Sequence, residues 1–355
     1  MKKLFVLALC AMVLVGCTKK REVKLMNVND FNTEVDGKKV SLYTLKNGNL
    51  TMQVTNYGGR VVSLWTPDNK GNYDNIVVGY DNIDKYINNK GERYLGAAVG
   101  RYANRIANGE ITIDGKKYEL VKNNNGNTLH GGEFGVDRIV WDVASVNDSA
   151  IVLHTVLPDG LDGFPGNLDV TMTYTLTPDN EFCIDYQAVT DAATVCNLSH
   201  HSFFNLKGVG NGDILDHELM IDSKVATVVN EQLIPTGRFV LLQGTPMDFR
   251  VSKPIGRDIH AYHPQMEYGK GYDFNWVLDK PIGELGLAAI VKEPTSGRVM
   301  EVLTDQPGMQ FYSGMITAFA LETQQFPDAP NQPNFPDVVL RPGEVYHHTC
   351  IYRFR

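Results

Sequence analysis

Cysteine is scarce in this chain, with five in 355 residues, and tryptophan scarcer still, with three. Setting aside Cys10 and Cys17 near the start leaves Cys183, Cys196 and Cys350. That odd number, with no CxxC pair, excludes a disulfide framework or a cysteine-based zinc site. The three read as small buried hydrophobes. Positive charge is in deficit: 33 Lys and Arg stand against 41 Asp and Glu, a net charge of −8. This excludes the basic face that non-specific nucleic-acid binding requires. The 33 Gly and 16 Pro are dispersed without period, so collagen-like and low-complexity readings fail. Gly208-Val209-Gly210-Asn211-Gly212 lacks the GxGxxG spacing and a following helix pattern, so it is no phosphate cradle. No GxSxG is present, which removes the serine nucleophile elbow. Helical periodicity is rare as well; Ile83, Tyr86 and Ile87 after Asp81 predict one short helix.

Long apolar runs are also missing, apart from Leu4–Val15 behind Lys2 and Lys3. Twelve residues suit a signal-peptide core and are too few to span about 30 Å of hydrocarbon as a helix. The following Leu14-Val15-Gly16-Cys17 resembles a bacterial lipoprotein cleavage box, with Cys17 becoming the lipidated first residue. The alternative is a plain secretory signal in which Cys17 is incidental. The expected organisation is a signal peptide over 1–16, a polar tether over 17–28 and one domain over 29–355. Loss of Lys2 and Lys3 with the signal moves the net charge from −8 to −10. The expected location is an exported lipoprotein on a periplasm-facing membrane or the cell envelope. Its membrane contact would run only through acyl chains on Cys17.

What is abundant is two-residue periodicity. Ile111 and Ile113, then Asp114-Gly115, then Tyr118 and Leu120, read as a hairpin whose turn accepts positive φ. Val170, Met172, Tyr174 and Leu176 alternate with threonines; Phe182, Ile184, Tyr186 and Ala188 follow Pro178-Asp179-Asn180. Met52 and Val54, Ile151 and Leu153, and Tyr346 to Phe354 repeat the pattern. Such runs between Gly, Asn, Asp and Pro clusters predict an all-β, antiparallel protein with one solvated face per sheet. With no composition break or fixed repeat over 29–355, one large β-sandwich is expected, with two packed sandwiches as the alternative.

Polar residues interrupt this pattern in four places: Gly100–Ile106, Asn127–Gly132, Asn197–Leu206 and Leu321–Asp328. A weaker fifth is Gly271–Trp276. Together they offer Arg, His, Asp and Glu, a set suited to proton transfer on a polyhydroxylated ligand. Carboxylates and amides bind hydroxyls, Arg and His donate to ring oxygens, and aromatics stack on sugar faces. Each segment alone is also compatible with a solvated alternate position of a strand. Metal binding is not expected. Adjacent residues of a strand face opposite ways, so neither His200-His201 nor His347-His348 chelates one ion easily. His260 and His263 have HxxH spacing but lie in a polar loop beside Pro264.

In this order the segments resemble the aldose 1-epimerase (galactose mutarotase) family over about residues 31–355. The resemblance is carried by Asn56-Tyr57-Gly58-Gly59, Trp65-Thr66-Pro67-Asp68 with Gly71, Asn104-Arg105-Ile106, Leu321-Glu322-Thr323-Gln324 and, most specifically, Asn197–Leu206. It implies a large antiparallel β-supersandwich that acts on small aldose sugars without a cofactor. It also implies Glu322 as general base and His201 as general acid, with Asn104, Arg105, His130, Ser202, Phe203, Asp273 and Gln310 binding substrate. His201 rather than His200 matches the catalytic position, because it directly precedes Ser202-Phe203-Phe204-Asn205-Leu206. Three departures stand out. His200 replaces a frequent Asn. Phe274 replaces a frequent His after Asp273, which predicts a missing hydrogen bond. Glu322 follows Gln310 by only 12 positions, which predicts a shortened cleft wall.

Anomer exchange needs the C1 hydroxyl proton removed while the ring oxygen gains one. A carboxylate ionised at neutral pH suits the base, and a histidine kept charged by its neighbours suits the acid. Arg105 is a permanent cation available to the ring oxygen or a hydroxyl. Two other classes fit parts of the set. A glycoside hydrolase would pair two acids such as Glu322 and Asp273, and a non-catalytic carbohydrate-binding sandwich would have no need of both His201 and Glu322.

Overall fold

The computed structural model describes residues 20–355. The proposed signal and Cys17 lie outside the described residues. Among those described, no helix is long and apolar enough to cross a membrane.

Four of the alternating segments become strands of a nine-stranded antiparallel sheet. Asp142–Val146, Ala150–Leu157, Leu168–Leu176 and Glu181–Thr190 form its first half as a meander. The C-terminal strand Tyr346–Phe354 lies in the middle, between Glu181–Thr190 and Val299–Thr304. Gly286–Lys292, Glu218–Ile221 and Lys253–Pro254 complete it. This one sheet draws its strands from between residues 142 and 354. In Leu168–Leu176, residues 168, 170, 172, 174 and 176 are buried and those between are not, as period two requires for a sheet with one wet face.

Other strands break that rule. Leu50–Thr55 and Ala320–Gln324 are buried at every position, so each is covered on both faces. Leu50–Thr55 lies within a four-stranded sheet. Ala320–Gln324 belongs to a five-stranded sheet that runs Pro235–Leu241, Ser223–Val229, Asp273–Leu278, Gly308–Tyr312, Ala320–Gln324. One core joins the sheets, with Tyr174, Phe182 and Tyr352 packed together with Trp276, Phe311 and Phe319. Burial of such rings is worth roughly 1.5–3 kcal/mol each. Tyrosine hydroxyls on the inner face of the large sheet tie it to what it covers. Tyr186 donates to Ser199 O at 2.8 Å and Tyr352 to Leu321 O at 2.8 Å, so their polar tips are satisfied inside the core.

The hairpin at Asp114-Gly115 forms as expected, with φ of +50° and +79°, the signature of a type I′ turn. The short helix is Asp84–Ile87. Cys183, Cys196 and Cys350 are unpaired.

The stretch assigned to a tether is held on the fold from Arg21 onward. Arg21 makes two hydrogen bonds to Asp74, at 2.9 and 2.8 Å, and Gln53 bonds the backbone of Met26 through both its amide atoms. Bidentate Arg–carboxylate pairing and a satisfied buried amide give this segment fixed partners, so it is not a free linker.

Candidate active site

In an antiparallel pair, residues directly opposite share a face. The register of the five-stranded sheet sets Asp273 opposite Tyr312, and Asn275 opposite Gln310, which in turn faces Glu322. One face of the sheet is therefore polar: Asp273, Asn275, Gln310, Tyr312, Glu322. The alternate residues Phe274, Trp276, Phe311 and Leu321 point into the apolar core. Phe274 is fully buried there against Trp276. A histidine at 274 would therefore face the core rather than the cavity.

Above the polar face lies a cavity of about 220 Å³. Asn104, Arg105, His130, His201, Asp273 and Glu322 all line it, so residues up to 218 positions apart in sequence converge. His201 ends the strand Ser199–His201, which pairs with Ala97–Val99. Its ring stacks with Tyr94, centroids 5.9 Å apart, and lies tilted against Phe203, at 4.7 Å. Its Nε2 lies 3.4 Å from Glu322 Oε1. His200 faces the other way, edge-on to Tyr174 and Phe182 at 5.5 and 5.9 Å, as strand alternation requires.

His130 and Asn104 hold each other. The His130 backbone N–H donates to Asn104 O at 3.0 Å, and the Asn104 backbone N–H donates to His130 Nδ1 at 3.0 Å. Both residues have positive φ, +50° and +63°, strained values that the reciprocal bonds and burial maintain. The loop then passes Gly131 at φ +86°, where a Cβ would lie 2.0 Å from Gly100 O; only glycine fits so close to another backbone. Arg105 reaches Asp273, Nη2 to Oδ2, at 3.5 Å. The other Asp273 oxygen accepts from Gln310 Nε2 at 2.5 Å.

Three residues expected to bind substrate do not line the cavity. Gln310 lies behind Asp273 and orients it. Phe203 is fully buried as a backing for the His201 ring. Ser202 is buried with no partner for its hydroxyl. Adjacency to His201 in sequence does not become adjacency to the cavity, because the chain leaves the strand after His201 and turns its next side chains inward. Glu92, Tyr94, Asn124, Leu129 and Tyr312 line the cavity instead and escape the sequence reading. Tyr312 carries a signal: it stands two positions from Gln310 and so shares its face. Glu92 and Tyr94 lie in an irregular segment with no periodicity. No residue between 313 and 319 lines the cavity.

Burial dominates the electrostatics. It pushes His201 down to about 3 and His130 well below the ordinary histidine value. It raises Glu322 well above a usual carboxylate, helped by the charge of Asp273 and opposed by Arg105. Burial therefore disfavours both members of the expected charged pair, carboxylate beside imidazolium.

His130, His201 and Glu322 bring potential ligand atoms within 4.8 Å of one another. A metal-bound imidazole gives the ion one nitrogen and keeps its proton on the other. His130 Nδ1 already accepts a backbone N–H, so the neutral ring carries its proton on Nε2 and has no lone pair free there. The trio as built does not fit a metal ion. It presents instead a hydrogen-bond donor, a proton-transfer pair and an Arg–Asp pair around a space of sugar size.

The family profile described as Aldose 1-epimerase matches residues 41–353. A galactose mutarotase from Bos taurus is 39% identical over 331 residues, covering 89% of this chain and 94% of its own. An aldose 1-epimerase from Escherichia coli K12 is 35% identical over 338 residues, covering 90% and 96%. Among solved structures, an aldose epimerase homologue from C. elegans superposes with a TM-score of 0.81 at 28% identity, covering 89% of this chain and 99% of its own. A galactose 1-epimerase from Lactobacillus acidophilus gives 0.80 at 25%, covering 91% and 96%.

Proposed function

The chain belongs to the aldose 1-epimerase family and is a carbohydrate epimerase that interconverts aldose anomers, and from that premise we propose how its residues divide the work. Glu322 takes the proton of the C1 hydroxyl and His201 gives one to the ring oxygen. The C1–O5 bond breaks, the aldehyde rotates about C1–C2, and the ring recloses with the two proton transfers reversed. The observation that carries this assignment is His201 facing Glu322 at 3.4 Å inside a polar cavity.

The directions of these shifts are compatible with the two roles. Imidazolium beside carboxylate holds the same number of protons as imidazole beside carboxylic acid. Opposite charges at this separation attract by about 5 kcal/mol at an effective dielectric of about 20, which offsets much of the cost of shifting the proton to His201. Entry of sugar hydroxyls supplies hydrogen bonds to the charged form and favours it further. His130 Nε2–H donates to a hydroxyl or ring oxygen, while Arg105 and Asp273 hold neighbouring hydroxyls. The test is polarimetry of the purified protein with freshly dissolved α-glucose and α-galactose. Acceleration of the optical change supports the reading; hydrolysis of a glycoside with no such acceleration favours a glycoside hydrolase.

For localisation, we infer export and anchoring through Cys17. The support is the order of positive charge, apolar run and cleavage box in the sequence. Cys17→Ala should release the protein from the membrane fraction or leave an uncleaved precursor. Mature protein of unchanged size and partition would refute it.

A further inference from the structure

The inner face of the C-terminal strand Tyr346–Phe354 carries Tyr346, His348, Cys350, Tyr352 and Phe354. His348 is the one strongly polar ring in that row, and it is 1% exposed. It is not among the residues that line the cavity. Its Nδ1 lies 2.9 Å from Leu198 O and its Nε2 2.8 Å from Thr323 Oγ1. The carbonyl only accepts, so Nδ1 carries the proton and Nε2 accepts from the threonine hydroxyl. Both ring nitrogens are thus satisfied, with the ring held against Tyr186 at 5.5 Å.

The two partners are what distinguish this histidine. Leu198 stands three residues before His201, and Thr323 is the residue after Glu322. The strands that present the two proton-transfer groups also touch directly, through Ser199 Oγ donating to Thr323 O at 2.8 Å. We propose that His348 is a positioning residue for the proton-transfer pair: by bonding, from the covering sheet, Leu198 just ahead of the His201 strand and Thr323 on the Glu322 strand, it fixes the separation of His201 and Glu322. This rests on the acid–base reading of those two groups. General acid and base catalysis depends steeply on donor–acceptor distance, and small misplacements lower the rate without removing the sugar's own contacts.

The test is a double-mutant cycle with Thr323→Val and His348→Phe, reading kcat and KM for anomer exchange by proton NMR. Each single variant should lower kcat at least threefold with KM within twofold. The double variant should be no slower than the slower single, because both changes remove one shared bond. His348→Gln, which keeps a partner for the Thr323 hydroxyl, should recover part of the loss. If His348→Phe does not fold, Thr323→Val and His348→Gln still decide the matter, since each removes one bond of the clamp. Unchanged kcat in Thr323→Val, a rise in KM alone, or losses that multiply in the double variant would overturn the proposal. A parent protein without anomer exchange would instead sink the acid–base reading itself.

Discussion

His200 offers a prediction whose sign and size follow from its surroundings. Its ring is 3% exposed, edge-on to Tyr174 and Phe182, and neither ring nitrogen has a partner. Burial lowers it to about 3, whereas the unfolded chain titrates near 6.5. Below pH 6.5 the unfolded state therefore binds a proton that the folded state refuses. Stability attributable to this residue is fully present above pH 6.5 and falls as the pH drops toward 3. The slope is one proton, about 1.4 kcal/mol per pH unit, so roughly 2–3 kcal/mol is lost by pH 4.5. His200→Phe keeps a ring of similar shape and removes two unsatisfied buried nitrogens, each of which costs about 1–3 kcal/mol. The variant should be at least as stable as the parent at pH 7 and should gain on it steadily in acid. Urea unfolding at several pH values between 7 and 4.5 measures both slopes. Parallel slopes for parent and variant would refute the argument, because His200 would then titrate alike folded and unfolded.

Other expectations follow from the same geometry. Asp273→Ala should raise KM with little change in kcat, since it removes a contact made equally in ground and transition states; loss of kcat at unchanged KM would make Asp273 an acid or base. Gln310→Leu should raise KM by a smaller factor, because Gln310 acts only by orienting Asp273. Exhaustive EDTA treatment should leave the exchange rate unaltered, and a loss restored by zinc would contradict the tautomer assigned to His130. The kcat profile should be flat where the His201–Glu322 pair holds one proton. It should fall in acid as a second proton adds and in alkali as the last is lost, the two limbs belonging to the pair rather than to either residue. Glu322→Gln should abolish the acidic limb.

How much of this was legible in the sequence depended on whether the information was local. Period two in Leu168–Leu176 and Glu181–Thr190 revealed strands, because one face of each packs on the core and the other meets solvent. It could not reveal that Ala320–Gln324 is covered on both sides, which depends on what the chain later lays over it. His201, Glu322 and Asp273 stood out as polar residues inside apolar strand patterns. Ser202 and Phe203 were drawn into the site by proximity in a motif, yet they pack inward to support it. Phe274 looked like a defect in the site until the register placed it on the opposite face. Glu92 and Tyr94 come from an irregular segment and carried no signal. Arg21 lies 53 residues from Asp74, and no local pattern announces such a pair.

The central claim is that His201 and Glu322 exchange protons with the sugar while His200, one residue away, does not. The direct measurement is the anomer exchange rate of His201→Asn, Glu322→Gln and His200→Asn, followed by proton NMR at saturating sugar. General acid or base catalysis contributes about 10²–10⁴-fold per group, so the first two variants should lose kcat by roughly that factor while still binding sugar. His200→Asn should stay within about tenfold of the parent, a difference of about 1.4 kcal/mol in barrier. A dead His200→Asn beside an active His201→Asn would contradict the account, for it would place the wrong face of this strand against the substrate.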